Sequence, residues 1–207
     1  MTRIKCCGVT RSEDAVLAAS LGVDAVGVVF AARSPRRVSV ARARKIVGSL
    51  PPFVASVALF MDDTESLVRE VLDTVRPSLL QFHGQEADSW CAQFGHPFVK
   101  AVAMGEGVTA LGQLAAYPHA AALLLDGHGR DEPGGTGRRF NWSLVPHDVD
   151  QPLILAGGLN AANVAAAIHT LHPWAVDVSS AVEQAPGIKD AGKLAAFVQA
   201  VCAADQA

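Results

Sequence analysis

The sequence is short of charge, of aromatic rings and of cysteine, and it has no long apolar run. Charged residues make up 18% of the 207, and 17 basic residues face 20 acidic ones, for a formal net charge of −3. That balance excludes a general nucleic-acid binder, which needs a basic face, and it is too mild to name any partner. The apolar runs at 54–61, 120–125 and 153–156 fall far below the roughly 18 residues of a membrane span. The opening Met1-Thr2-Arg3-Ile4-Lys5 lacks the apolar core of a secretion signal. Cysteines at 6, 7, 91 and 202 fit neither a disulfide framework nor a zinc knuckle. Reduced thiols in a cytoplasmic enzyme are the expectation. Cys6, Cys91 and Cys202 read as packing residues.

What is abundant is apolar surface. Hydrophobic residues are 50% of the chain, which excludes intrinsic disorder. The length suits one domain over residues 1–207 with a substantial core. Short β-rich runs at 3–7, 24–30, 54–60, 79–82, 98–102, 121–125, 153–156 and 175–178 alternate with helical patterns. Ser12 reads as an N-cap, with Glu13 and Asp14 in the first turn and Gly22 at the end. Val68, Val71, Leu72 and Val75 form one helical stripe, and Leu194, Phe197, Val198 and Val201 another. Strands alternating with helices imply a parallel sheet covered on both faces. Eight such units predict a single compact (β/α)8 barrel, close to the ~200-residue floor for that fold. A doubly wound open sheet is the rival, but Cys7-Gly8-Val9-Thr10 after the first strand is not its glycine fingerprint.

In a barrel, chemistry sits at the C-terminal ends of the strands. Cys7 closes the first strand, where a thiol can act as nucleophile or base. Its ordinary pKa is about 8.5, so a modest depression gives thiolate at neutral pH. Cys6 points the other way, toward the helices. Asp126 closes the sixth strand after an apolar run, and partial burial there favours a general acid. Gln81 and His83 share one face of the fourth strand and project into the barrel mouth, where His83 can orient a substrate. Lys5 faces inward beside Cys7 and requires a carboxylate, with Asp177 in reach. Of Arg33, Arg36 and Arg37 after the second strand, one is placed to clamp an anion by a bidentate contact. Gly157-Gly158 after strand seven and Ser179-Ser180 after strand eight stand where barrels bind phosphate, with glycine permitting close backbone approach. The long segment 127–142, rich in glycine, reads as a lid over the mouth.

These residues resemble one family. Lys5-Cys6-Cys7-Gly8-Val9-Thr10, Gly27-Val28-Val29-Phe30 with Ser34-Pro35-Arg36, and Gln81-Phe82-His83-Gly84 are similar to segments of the phosphoribosylanthranilate isomerases of tryptophan biosynthesis. So are Leu125-Asp126, Gly134-Gly135-Thr136-Gly137 with Phe140 and Trp142, and Ala156-Gly157-Gly158-Leu159 with Asn163-Val164. The last match is Asp177-Val178-Ser179-Ser180 with Val182-Glu183, Pro186-Gly187 and Lys189-Asp190. They run in the family's order over nearly the whole chain. The resemblance implies a (β/α)8 barrel with no cofactor and no metal, acting on a small-molecule substrate without nucleic acid or membrane. It implies an Amadori rearrangement of phosphoribosylanthranilate, with Cys7 and Asp126 as catalytic residues. Arg36 is implied to meet the anthranilate carboxylate, and the backbone around Gly157, Gly158, Ser179 and Ser180 the phosphate. Monomer and homodimer both stay open.

Four positions depart from the family pattern. Cys6 replaces an aliphatic residue, Phe82 a leucine, Ala161 a proline and Ala181 a glycine. Ala181 carries the consequence, because a left-handed backbone there would be strained by its Cβ. The alternatives are a related sugar-phosphate isomerase of histidine biosynthesis, which pairs two aspartates at strands one and six, and a non-catalytic phosphate-binding barrel. Cys7 argues against the first, and Cys7 with Asp126 against the second.

Overall fold

A computed structural model describes residues 1–106, 112, 114–127, 140–142, 145–146 and 149–207. The elements in order are β1 (Arg3–Cys6), α1 (Ser12–Ser20), β2 (Ala25–Val29), α2 (Val40–Val47), β3 (Ala55–Phe60), α3 (Glu65–Thr74), β4 (Leu79–Phe82) and α4 (Asp88–Ala92). They continue with β5 (Phe98–Ala103), β6 (Ala122–Asp126), β7 (Leu153–Leu155), α5 (Val164–Leu171), β8 (Ala175–Val178), β9 (Glu183–Ala185), β10 (Ile188–Lys189) and α6 (Ala191–Ala204). Strands β1 to β8 pair in parallel with their neighbours, and β8 returns to β1 to close a barrel. All eight expected strands are present, each end within one residue of its expected place.

Strand alternation separates two cores. On the outside, Ile4, Cys6, Val26, Val28, Leu123, Leu125 and Val176 pack under the helices. On the inside, Val99, Ala101, Ala122, Leu124, Ile154, Ala156 and Ala175 fill the barrel. The few aromatics are concentrated on the outer face of β2 to β5. Phe30 stacks on Phe60 with centroids 5.3 Å apart, Phe60 meets Phe82 at 6.0 Å, and Phe82 meets Phe98 at 5.8 Å and Trp90 at 5.4 Å. Phe82 is therefore the hub of a cross-strand ring ladder. Truncating such a buried ring to alanine costs about 3–5 kcal/mol.

Both predicted helical stripes are buried faces, α3 through Val68 and Val71 and α6 through Leu194, Phe197, Val198 and Val201. Ser12 is not an N-cap. It is the first residue of α1, and Arg11 takes the cap position without a side-chain cap bond. Arg11 instead bonds Asp14 through Nε at 3.0 Å and Nη2 at 2.6 Å, which satisfies the first-turn carboxylate from the other side. Between β5 and β6 the described residues hold 3₁₀ turns at Met104–Glu106 and Leu114–Ala116 rather than an α-helix. After β8 the chain forms a small β9–β10 hairpin before α6. Thr10 Oγ1 donates to the Gly187 carbonyl at 2.6 Å, which ties the hairpin to the β1–α1 loop. No described helix is long and apolar enough to cross a membrane.

Candidate active site

A cavity of about 540 Å³ opens at the C-terminal ends of the strands. Cys7, Gln81, His83, Asp126, Arg36, Gly157, Gly158, Ser179 and Ser180 all line it. These nine residues thus reach one space. Its apolar wall is Cys7, Val29, Ala31 and Leu59, with Met61 against them.

Cys7 continues the β1 ladder by one residue, its amide donating to the Val178 carbonyl at 2.8 Å. Strand alternation turns it inward while Cys6 packs outward. The neighbouring position on β2 is Gly27, where a Cβ would stand 2.9 Å from Cys7 Sγ and 3.2 Å from Cys7 Cα. Glycine is required there by that close approach. Lys5, one turn of the pleat below, pairs with Asp177 Oδ2 at 2.7 Å, as expected, with both side chains buried. Burial alone pushes Lys5 down, but Asp177 and then Cys7 reverse this and hold it above its ordinary value, as a cation. For Cys7 the shift is upward, not the depression that would give thiolate at neutral pH. Burial pushes the thiol up, and the Lys5 charge opposes this without cancelling it. A thiolate in an apolar wall loses hydration that one ammonium does not fully replace.

Asp126 ends β6 and is 6% exposed. Its Oδ2 lies 3.5 Å from His83 Nε2. On the far side of the ring, the Gln81 amide nitrogen stands 3.1 Å from His83 Nδ1. With that amide donating, Nδ1 accepts, and the ring proton sits on Nε2, the nitrogen facing Asp126. Among the described residues, Gln81 Oε1 and Asp177 Oδ1 are buried and make no protein hydrogen bond.

Two regions suit anions. Gly157 and Gly158 have φ of 79° and 66°, a left-handed turn open to glycine, and Asn163 Nδ2 donates to the Gly158 carbonyl at 2.9 Å to fix it. Helix α5 begins only at Val164, so Ala161 lies in the preceding turn rather than at a helix start. Ser180 opens a three-residue 3₁₀ turn, and Ala181 is not among the residues with left-handed backbone, so its Cβ is unstrained. Arg36 reaches the cavity from the loop between β2 and α2. Its Nε donates to Glu183 Oε1 at 2.9 Å and its Nη2 to Oε2 at 2.7 Å. Arg33 and Arg37 are exposed. Burial alone would raise Glu183, but Arg36 and Lys189 more than reverse this and hold it below the ordinary carboxylate range.

Sequence alone gives no role to Glu183 or Lys189, and none to Gly8 and Gly27 beyond their place in matching segments. The charged pair flanking Pro186-Gly187 was the available signal. Cys202 is exposed rather than packed, while Cys6 and Cys91 are buried, each pushed up to about 12 chiefly by burial. Most of the expected lid, 128–139, lies outside the described residues. Among the described residues, no three His, Cys, Asp or Glu side chains gather as a metal-binding group.

The family described as "N-(5'phosphoribosyl)anthranilate (PRA) isomerase" matches residues 4–200. The N-(5'-phosphoribosyl)anthranilate isomerase of Pseudomonas aeruginosa strain UCBPP-PA14 is 52% identical over 199 residues, covering 96% of this chain and 94% of that protein. Among solved structures, phosphoribosyl anthranilate isomerase from Thermotoga maritima superposes with a TM-score of 0.91 at 37% identity, over 98% of this chain and 100% of that one. A phosphoribosyl anthranilate isomerase in complex with reduced 1-(o-carboxyphenylamino)-1-deoxyribulose 5-phosphate gives a TM-score of 0.84 at 35% identity, over 98% and 100%. With a closed barrel and a match over nearly its whole length, this chain belongs to the phosphoribosylanthranilate isomerase family.

Proposed function

We propose that the chain converts N-(5'-phosphoribosyl)anthranilate to 1-(2-carboxyphenylamino)-1-deoxyribulose 5-phosphate, with Asp126 as general acid and Cys7 as general base. One observation carries this assignment: Cys7 and Asp126 line a single cavity that Arg36, Gly157, Gly158, Ser179 and Ser180 also line. The substrate has two anionic ends. Its phosphate meets Gly157, Gly158, Ser179 and Ser180, and its anthranilate carboxylate meets Arg36. The buried acceptors Gln81 Oε1 and Asp177 Oδ1 suit ribose hydroxyl donors, since a buried acceptor left unmade costs about 1–3 kcal/mol.

Asp126 delivers a proton to the furanose oxygen, and the ring opens to a Schiff base. His83 Nε2, 3.5 Å from Asp126 Oδ2, lies close enough to orient the carboxyl once the site is occupied. The Schiff-base cation acidifies the C2' proton, so a weak base suffices, and the Cys7 thiolate removes it. At rest, burial favours the thiol. The thiolate gains from Lys5 and from the cation formed beside it. Each positioned proton transfer is worth about 10²–10⁴-fold. The enolamine then tautomerises to the ketone.

The direct test is an assay with freshly made phosphoribosylanthranilate, paired with rescue of a tryptophan auxotroph. Turnover with rescue is expected. Purified, folded protein with neither would contradict the assignment.

A further inference from the structure

Arg36 does not stand alone at the mouth. It is the outer member of a buried chain of charges running back to the β9–β10 hairpin. Glu183 takes Arg36 on both oxygens, and Oε1 also accepts from Lys189 Nζ at 2.9 Å. Lys189 is fully buried and has further partners. Its Nζ donates to the Cys7 carbonyl at 2.6 Å and the Ser179 carbonyl at 3.2 Å. One ammonium therefore joins the chain at the thiol, the chain at the phosphate loop and the carboxylate that grips Arg36. Gly8 completes the path, because a Cβ there would collide with Arg36 Cδ and come within 3.0 Å of Ser179 Oγ.

The charges decide what this arrangement does. A carboxylate gripping an arginine on two atoms cancels its charge, and a neutral pair has little attraction for a substrate anion. Lys189 adds a second cation to the same carboxylate, so the triad Arg36, Glu183 and Lys189 keeps one net positive charge. The grip uses Nε and Nη2. Among the described residues Nη1 has no partner, and the side chain remains 11% exposed, toward the cavity.

We propose that Glu183 is a positioning residue for recognition of the anthranilate carboxylate: it aims the Arg36 guanidinium at the substrate, and Lys189 keeps the pair cationic. The proposal rests on the reading of Arg36 given above. Removing the Glu183 charge leaves two cations side by side. Lys189 is enclosed and cannot leave, so Arg36 swings toward solvent and its aim is lost. Glu183 thereby sets substrate selectivity without touching the substrate.

The test compares two substrates within each protein sample, phosphoribosylanthranilate and N-(5-phosphoribosyl)aniline, which lacks the carboxylate. The readout is the ratio of their kcat/KM values, from which any loss of folded protein cancels. Arg36→Met tests the reading beneath the proposal, and its ratio should collapse; an unchanged ratio there would show that Arg36 does not meet the carboxylate. With Arg36 so established, Glu183→Gln should lower the ratio about tenfold, the worth of one charge-assisted hydrogen bond. On the Arg36→Met background it should lower the ratio no further, because the two act as one unit. A ratio that stays level or rises in Glu183→Gln, or an additive loss in the double variant, would overturn the proposal. Should Glu183→Gln give no soluble protein, Glu183→Asp, one methylene short of the grip, is expected to shift the ratio the same way, and an unshifted ratio overturns it equally.

Discussion

Replacing Gly27 by alanine adds one methyl group to the wall behind the proposed base. The added Cβ would sit 2.9 Å from Cys7 Sγ, 3.2 Å from Cys7 Cα and 3.4 Å from Cys7 Cβ. Ordinary contact begins near 3.4 Å, so the thiol must retreat by about 0.5 Å and its Cα by about 0.2 Å. Rotating the side chain cannot relieve this, because the Cα is among the crowded atoms. Gly27 is not in the left-handed region, so no backbone penalty confounds the steric one. Overpacking of this kind costs about 1–3 kcal/mol, which in a chain of this size lowers Tm by roughly 2–12 °C. A misplacement of about 1 Å costs on the order of 10²-fold in rate, so half of that should cost about tenfold in kcat. The assay is steady-state turnover of phosphoribosylanthranilate at a temperature well below the shifted Tm. A folded Gly27→Ala protein with wild-type kcat would refute the claim that the position of the Cys7 thiol limits the reaction.

Two further outcomes follow from charge. In Lys5→Met the cation that opposes the burial-driven rise of Cys7 is gone, so the ascending limb of the kcat/KM profile should move to higher pH, with activity lost at neutral pH partly returning in more alkaline buffer; an unmoved limb contradicts the link between Lys5 and the base. Glu183 is held below the ordinary carboxylate range in the folded chain, so its stabilising contribution is present above the unfolded value of about 4.3 and lost as pH falls below it. The urea midpoint should therefore drop on acidification through that window, and drop less steeply in Glu183→Gln.

Much of the site was legible because a strand's period of two decides direction without any tertiary information. That rule separated Cys6 from Cys7 and set Lys5 beside Cys7. It also placed Gln81 and His83 on one face, and all five residues stand as expected. The Lys5–Asp177 pair was legible because an inward lysine has few remedies. The direction of the Cys7 shift was not, since it depends on how completely the neighbouring chain excludes water. Nor was the grip of Glu183 on Arg36, which joins residues 147 apart in sequence across the barrel closure. The needs of Gly8 and Gly27 arise from side chains on other elements, which no local pattern reveals. Ser12 was misplaced as a cap because the residue before it, Arg11, meets the first turn through Asp14 instead.

In the proposed mechanism Asp126 supplies the proton that opens the ring. Asp126→Asn is the most direct measurement, because the amide keeps the shape of the side chain and removes the acid. In that variant kcat for phosphoribosylanthranilate should fall by about 10²-fold or more, while the reduced product analogue should still bind. A kcat equal to that of the unaltered protein would contradict it.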